Sequence, residues 1–196
     1  MPVEIPLDRI CVRTGVLCPR CQSLVDRGLY DDLDIRVMRA LLGIEKRLGD
    51  VRIKYVKARR LGTRLIVVVE APDGSLPSWL GRELQMALDD PSITSVIVLP
   101  HGGGVQKLVE SAVRPYRVVD VSLYYLPDGK EYYIVKLPSS ARGRVNSELL
   151  RVVEELAEKW YGAGIMIEYV DVPEEEPVEK VSVKDLRSLL DRIDRF

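Results

Sequence analysis

Histidine, asparagine and glutamine are scarce in this chain of 196 residues, and cysteine is confined to one short stretch. There is a single histidine, His101, and a single asparagine, Asn146, whereas 30% of the residues are charged. Amide side chains degrade at high temperature, and networks of ion pairs become less costly there. This composition is therefore typical of a hyperthermophile.

Long apolar runs are also missing. No run approaches the length of a membrane-spanning helix, which needs about 18 or more apolar residues. The N-terminal residues lack the basic start and the apolar centre of a secretory signal peptide. We therefore expect a cytoplasmic protein with no membrane partner, whose thiols are free or metal-bound rather than paired in disulfides.

The motifs of common catalytic and nucleotide-binding sites are missing as well. The run from His101 to Gly104 echoes the oxyanion loop of some esterases, but no Gly-x-Ser-x-Gly elbow accompanies it. There is no phosphate-binding Gly-x4-Gly-Lys-Ser/Thr loop and no Gly-x-Gly-x-x-Gly after a predicted strand. We expect the protein not to be an enzyme.

The three cysteines lie within eleven residues, at Cys11, Cys18 and Cys21. Cysteines that only fill a core would scatter along the chain, whereas metal thiolates must converge on one point. The last two have the C-x2-C spacing of a zinc knuckle. We predict one structural Zn²⁺ held by the three cysteines and by Asp8, with Asp26 and His101 as alternative fourth ligands. The competing interpretations are a knuckle held by packing alone and a redox pair.

Positive charge is concentrated in one segment, although the net charge of the chain is only −1. Between Lys46 and Arg64 there are eight Lys and Arg residues and one acidic residue, Asp50. The small net charge argues against a protein that coats nucleic acid through its overall charge. A local positive patch of this kind is nevertheless suited to binding phosphate groups. The competing interpretation is a surface whose charges pair with Glu and Asp on neighbouring helices.

Most of the chain is predicted to be an internal repeat of two α+β units with the element order α-β-β-α-β. The first unit is predicted as a helix over 34–48, strands over 51–58 and 64–70, a helix from about residue 78 and a strand over 93–99. The second is predicted as a helix over 105–113, strands over 116–126 and 131–137, a helix over 146–161 and a strand over 165–170. Corresponding elements lie about 70 residues apart.

The C-terminal residues add a further predicted element after an acidic, proline-broken linker. Residues 182–185 have the Ser-x-x-Asp pattern of a capping box. Apolar residues then recur at helical spacing, namely Leu186, Leu189, Leu190 and Ile193. We predict a helix over 182–196 that either folds back on its own domain or docks on a partner through a flexible tether.

The segment from Cys11 to Gln22 reads Cys-Val-Arg-Thr-Gly-Val-Leu-Cys-Pro-Arg-Cys-Gln, and two α-β-β-α-β units follow it. Together with the run from Tyr124 to Gly129, it resembles archaeal proteins related to the transcription elongation and termination factor NusA. The resemblance covers about residues 8–170. It implies a zinc-knuckle segment at 1–30 and KH-type domains of the prokaryotic type II at 31–100 and 104–171, with the linker and helix of 172–196 outside it.

A KH domain binds single-stranded RNA through a Gly-x-x-Gly loop between two helices. The resemblance therefore implies an RNA-binding accessory factor of transcription elongation, termination or RNA metabolism. Both loops depart from that motif. In the first, Gly81 and Arg82 are followed by Glu83, so we expect a continuous helix there. In the second, residues 140–144 contain only one glycine. The alternative is a protein–protein scaffold of RNA polymerase or the ribosome whose KH folds no longer bind RNA.

The predicted RNA contacts come from the basic segment and from the two loops. They are Arg52, Lys54, Lys57, Arg59, Arg60, Arg64, Gly81, Arg82, Arg142 and Arg144.

Overall fold

A computed structural model describes residues 2–127 and 129–171 of the chain. The described residues form a mixed α+β fold with six α-helices and two small sheets. The acidic linker and the predicted C-terminal helix, residues 172–196, lie outside the described residues.

The first unit contains a four-stranded sheet. Its elements are β1 (Val3–Glu4), α1 (Arg9–Thr14), α2 (Pro19–Asp26), α3 (Asp32–Leu48), β2 (Ile53–Leu61), β3 (Arg64–Glu70), α4 (Leu80–Leu88) and β4 (Ser95–His101). The strand order is β1-β2-β3-β4, in which β2 runs antiparallel to β3 and the outer pairs are parallel. The predicted order α-β-β-α-β is present in this unit, and β1, α1 and α2 precede it.

The second unit contains a separate three-stranded sheet. Its elements are α5 (Gly104–Val113), β5 (Asp120–Tyr125), β6 (Glu131–Pro138), a 3₁₀ turn (Ser139–Ala141), α6 (Ser147–Tyr161) and β7 (Gly164–Val170). Strands β5 and β6 are antiparallel and β6 and β7 are parallel, which repeats the relation of β2, β3 and β4. Strand β5 begins four residues later than predicted, because the Tyr116 amide bonds back to the carbonyl of Val113 in a turn.

A layer of two helices joins the two units. On one face of the first sheet, Leu65 and Val67 pack in a core with α3 and α4. On the opposite face, Ile66 and Leu99 pack in a second core with α5 and α6, and this core also contains Val135 of the second sheet. The layers therefore follow the order α3/α4, first sheet, α5/α6, second sheet.

The cysteine segment packs into the first unit. Cys11, Val12 and Cys21 are buried in the same core as α3 and the first sheet. Strand β1 pairs with β2, and Arg39 of α3 donates to the carbonyl oxygen of Val12 at 2.7 Å. The sequence gives no sign of this attachment, because a two-residue strand is too short to show an apolar pattern.

Asp34 is a fully buried carboxylate that ties α3 to β2. It accepts hydrogen bonds from the Tyr55 hydroxyl and the Lys57 ammonium, and from the amides of Asp31 at 2.9 Å and Ala58 at 3.0 Å. Burial alone raises the pKa of Asp34, but these hydrogen bonds, led by Lys57 and Tyr55, lower it below the usual carboxyl value. A bulge between Tyr55 and Lys57 shifts the strand so that Ala58 faces this carboxylate.

Gly81 allows α4 to lie directly against β4. A Cβ atom at this position would lie 2.4 Å from the carbonyl oxygen of Val96. The helix runs without interruption from Leu80 to Leu88, as expected from the missing second glycine. The close approach of two backbones is therefore a structural reason for glycine at this position.

We expect Asp34→Asn to reduce the free energy of unfolding by about 2–3 kcal/mol, because one of the two buried carboxylate oxygens becomes an NH2 group that cannot accept hydrogen bonds from the donors around it. Asp32→Asn is the matched control: Asp32 is exposed in the first turn of the same helix, and losing its charge costs less than about 1 kcal/mol. Chemical denaturation of the two variants measures the difference. Equal losses would contradict the role given to Asp34.

The pH dependence of Asp34 follows from its lowered pKa. Its contribution to stability is complete above the ordinary carboxyl pKa of about 3.9 and is lost as the pH falls through the lower folded value. The stability difference between the native protein and Asp34→Asn should therefore shrink only below about pH 4.

We expect Gly81→Ala to destabilise the protein by about 1–3 kcal/mol, because the added methyl group forces α4 away from β4. Gly43→Ala is the control, since Gly43 lies in α3 with no heavy atom within 4 Å of the added Cβ. That substitution should stabilise the helix by about 1 kcal/mol. Thermal unfolding of both variants checks the opposite signs.

Candidate functional site

The three cysteine side chains converge at the junction of α1 and α2. Cys11 lies in α1, Cys18 is the N-cap of α2 and Cys21 lies in the first turn of α2. Gly15 ends α1 with a φ of 81°, a left-handed conformation that turns the chain back toward α2. The three Sγ atoms lie within 4.8 Å of one another, and they are the ligands of a possible metal site.

Backbone amides point at these sulfur atoms. The Asp8 amide donates to Cys21 Sγ at 3.2 Å, and the Cys18 amide donates to Cys11 Sγ at 3.3 Å. The Cys21 amide lowers the pKa of the Cys18 thiol, whereas burial raises the pKa of the Cys21 thiol. Amides that surround a cluster of sulfurs stabilise thiolates, which are the form that binds metal.

The predicted fourth ligand, Asp8, has another role in the described residues. Its carboxylate caps α1 and accepts from the amides of Ile10 at 2.8 Å and Cys11 at 3.3 Å, and it lies outside the group of three thiols. Of the two alternatives, Asp26 accepts from Gln22 at 2.7 Å, and the ring of His101 stacks on Trp160 at 4.3 Å.

Most of the predicted RNA contacts on β2 are engaged within the protein. Lys54 pairs with Glu70 at 2.8 Å, Lys57 pairs with Asp34, and Arg59 reaches Glu155 of α6 at 3.1 Å. Arg60 donates to the carbonyl oxygens of Gly62 and Ser92, and the exposed Arg52 lies beside the acidic residues Glu4 and Glu70. The positive charge of this strand is therefore largely compensated.

A groove runs around the C-terminal end of α5, where the two units meet. It consists of three adjoining cavities of about 650, 310 and 230 Å³, all lined by Arg114. The first two also share Pro115 and Tyr116, and the last two share Ile97 and Ala112. The groove therefore extends from α4 and β4 past the end of α5 to the start of α6.

Five arginines line the groove, and they are Arg64, Arg82, Arg114, Arg117 and Arg144. Within residues 2–127 and 129–171, none of them makes an ion pair or a side-chain hydrogen bond. The acidic residue of the groove is Glu110, whose carboxylate accepts hydrogen bonds from Gln106 at 2.8 Å and Lys107 at 3.2 Å on its own helix. The groove is therefore basic and open to an anionic ligand.

The two predicted glycine loops differ in geometry. In the first unit, Gly81 and Arg82 lie inside α4, although both line the groove. In the second unit, residues 142–146 connect the 3₁₀ turn to α6, and Gly143 has a φ of 71° with nothing within 4 Å of an added Cβ. The Arg142 guanidinium lies 5.2 Å from the ring centre of Tyr169. Only the second loop exposes its backbone between two helical elements.

Sequence reasoning missed Arg114 and Arg117. They flank Pro115 and Tyr116 in the turn between α5 and β5, where the sequence predicted a strand that begins at Tyr116. The sequence signal that could have indicated them is Pro115, which ends the helix and has an arginine on either side. No sequence pattern indicates that this turn meets Arg64 and Arg144, because the meeting depends on how the units pack.

The described helices give no candidate for a membrane span, since none is both long and apolar enough. No model of a known protein family matches the chain, and no curated protein matches it.

Proposed function

We propose that this chain is an RNA-binding accessory factor of transcription elongation, termination or RNA metabolism, related to the archaeal NusA-like proteins. The observation that carries the proposal is the groove at the junction of the two units, lined by five arginines without ion pairs. A single RNA strand in this groove would contact both units at once. We expect the host to be an archaeal hyperthermophile and the location to be the cytoplasm.

The physical chemistry of the groove suits a single strand better than a duplex. The cavities of a few hundred Å³ that adjoin one another along the groove offer room for successive nucleotides. The guanidinium groups spaced along it would neutralise successive phosphates. Apolar residues such as Ile97 and Val145 lie between the arginines, where bases would pack. This combination of phosphate contacts and an apolar wall is the binding mode of KH domains.

The KH-type assignment is supported by the repeated topology. Each unit has a helix, an antiparallel strand pair, a second helix and a third strand that runs parallel to its neighbour. In the second unit, the loop around Gly143 lies between two helical elements and borders the groove through Arg144. We propose this loop as the site at which the backbone approaches a phosphate.

We propose that the three cysteines hold a structural Zn²⁺. A tetrahedral zinc with bonds of about 2.3 Å requires sulfur atoms about 3.8 Å apart. The three Sγ atoms lie within 4.8 Å of one another, which is near that spacing. The ion would fix α1 against α2, since its ligands come from both helices. Because Asp8 caps α1, we propose three thiolates as the ligands from this chain and leave the fourth position to another group.

The second candidate function is a protein–protein scaffold of RNA polymerase or the ribosome. It is favoured by one observation, the continuous helix α4 at the position of the first glycine loop. A helix at that position offers no exposed backbone to a phosphate. In this alternative, the basic groove binds an acidic protein surface.

Protein purified without chelator should contain one zinc ion per chain. Cys18→Ser should lose most of the metal, because two remaining thiolates bind zinc far more weakly. Removal of the metal should also lower Tm, since α1 and α2 are part of the first core. Elemental analysis and thermal unfolding measure both effects, and metal-free native protein would refute the proposal.

Two substitutions of Asp8 separate its possible roles. Asparagine caps a helix about as well as aspartate, so Asp8→Asn should keep the zinc, whereas Asp8→Ala should destabilise α1 by about 1 kcal/mol. If Asp8→Asn loses the metal while Asp8→Ala loses no more, the carboxylate is a ligand as the sequence suggested.

For RNA, the test replaces Arg114, Arg117 and Arg144 with glutamine and measures binding of a labelled single-stranded oligonucleotide. We expect the affinity to fall at least about tenfold at low salt. The slope of log affinity against log salt should decrease by about 2, since each phosphate contact on a single strand contributes about 0.7. Fluorescence anisotropy over about 50–200 mM salt gives both values.

The matched control replaces Arg52, Arg59 and Arg60 with glutamine. It removes the same charge from a strand whose positive residues are mostly engaged within the protein, so the affinity and the salt slope should change much less. Equal effects of the two triple variants would mean that only overall charge matters. Absence of binding by the native protein at low salt would exclude RNA and leave the scaffold.

A further inference from the structure

In the described part of the chain, the second sheet is covered on only one face. The first sheet is buried on both faces, by α3 and α4 on one side and by α5 and α6 on the other. The inner face of the second sheet packs on α5 and α6 through residues such as Val135, whereas Leu123 and Tyr125 at the end of β5 stay exposed on that face. Its outer face belongs to neither core.

The outer face carries a compact group of apolar and aromatic side chains. The strand register places Tyr124 beside Tyr132, and Ile134 beside Met166. Met166 is 51% exposed and Tyr124 is 58% exposed. An exposed group of this kind, called here the outer-face cluster (Tyr124, Tyr132, Ile134 and Met166), marks an interaction site on a soluble protein.

The first sheet shows what covers the equivalent face. Ile66 and Ile97 are paired on the parallel strands β3 and β4. They occupy the position that Ile134 and Met166 occupy on the parallel strands β6 and β7. The pair of Ile66 and Ile97 packs in the core formed with α5 and α6. The repeat therefore predicts that an apolar helix face covers the outer-face cluster as well.

The charges around the cluster favour a protein segment over nucleic acid. Asp120 and Lys136 form an ion pair of 3.0 Å at one end of this face, and Glu168 lies beside Lys136 on β7. These three residues carry no excess positive charge. Phosphates would find no electrostatic attraction there, so the occupant is expected to be apolar.

We propose that residues 182–196 of this same chain dock on the outer-face cluster. The chain leaves the second sheet at Val170, the last residue of its edge strand β7. Residues 172–181 span up to about 33–36 Å when extended, which exceeds the length of β7, about 23 Å. The tether is therefore long enough for residues 182–196 to reach any part of this face.

The sequence of the segment and its tether both favour this occupant. Its Leu186, Leu189, Leu190 and Ile193 are spaced for one face of a helix. A tethered segment has an effective concentration in the millimolar range, far above the concentration of a second free copy. The inference does not depend on RNA binding or on zinc.

The test uses the full chain with the photo-crosslinking residue benzoylphenylalanine in place of Tyr124, which is an exposed aromatic of similar size. The control carries the same residue in place of Met86, which is 57% exposed on α4 of the first unit. An equal mixture of isotopically heavy and light protein is irradiated. Mass spectrometry then identifies the crosslinked peptides and whether they come from one chain or from two.

We expect crosslinks from position 124 to residues 182–196 within one chain, and none of these from position 86. Mixed heavy–light crosslinks would identify a second copy as the occupant and overturn the proposal. Crosslinks at position 124 to other parts of the chain, or no crosslinks at all, would also overturn it.

Amide hydrogen exchange provides a second measurement without a modified residue. The pair Leu186→Gln and Leu190→Gln should accelerate exchange over 182–196 at least about tenfold, because the docked segment is released. The pair Ser188→Gln and Asp191→Gln, on the opposite side of a helix, should leave exchange unchanged.

A matched pair of methionines tests the sheet: Met166→Gln should accelerate exchange over 182–196, and Met86→Gln on α4 of the first unit should not. If exchange in the native chain is already as fast as in the leucine variant, the segment is undocked and the proposal fails.

Discussion

The packing of α5 and α6 between the two sheets is the constraint on which the rest of the structure depends. The apolar face of the first sheet that carries Ile66 and Leu99 is covered by helices of the second unit, so neither unit completes its core alone. A connection through a buried layer of this kind fixes the relative position of the units. The basic groove exists because of that layer, since its walls come from α4 and β4 of one unit and from α5 and α6 of the other.

The position of each positive side chain in the fold decides whether it is available to a ligand. The basic segment around β2 has the highest density of positive charge in the sequence, yet Lys54, Lys57 and Arg59 pair with carboxylates that the fold brings to them. The groove arginines are fewer and dispersed along the chain, and within the described residues none of them forms an ion pair, although Glu110 lies in the same groove as Arg114 and Arg117. Side chains that pair internally stabilise the fold, whereas unpaired cations concentrated in a concave surface raise the local potential for anions.

The cysteine cluster and Asp34 supply buried polar contacts that connect the elements of the first unit. Amides of Asp8 and Cys18 donate to the sulfur atoms, and the buried carboxylate of Asp34 satisfies donors from both α3 and β2. Polar groups buried with complete sets of partners hold one arrangement of the backbone in preference to others. The bonds of Asp34 attach α3 to β2, and β2 pairs with β3, which contributes Arg64 to the groove.

The sequence by itself determined the order of the elements, because each helix and strand has its own apolar period and its own terminal signals: residues 64–70 are a strand as predicted, and Gly162 ends α6 as a left-handed cap. It also determined the convergence of the three cysteines, since their spacing leaves little freedom. Only the tertiary structure decided that the short strand β1 attaches this segment to the first sheet and that Asp8 caps a helix. It also decided that Arg114 lines one cavity with Arg64 and Arg144 and an adjoining cavity with Arg117. These outcomes depend on contacts between residues far apart in the chain, and no local pattern encodes them.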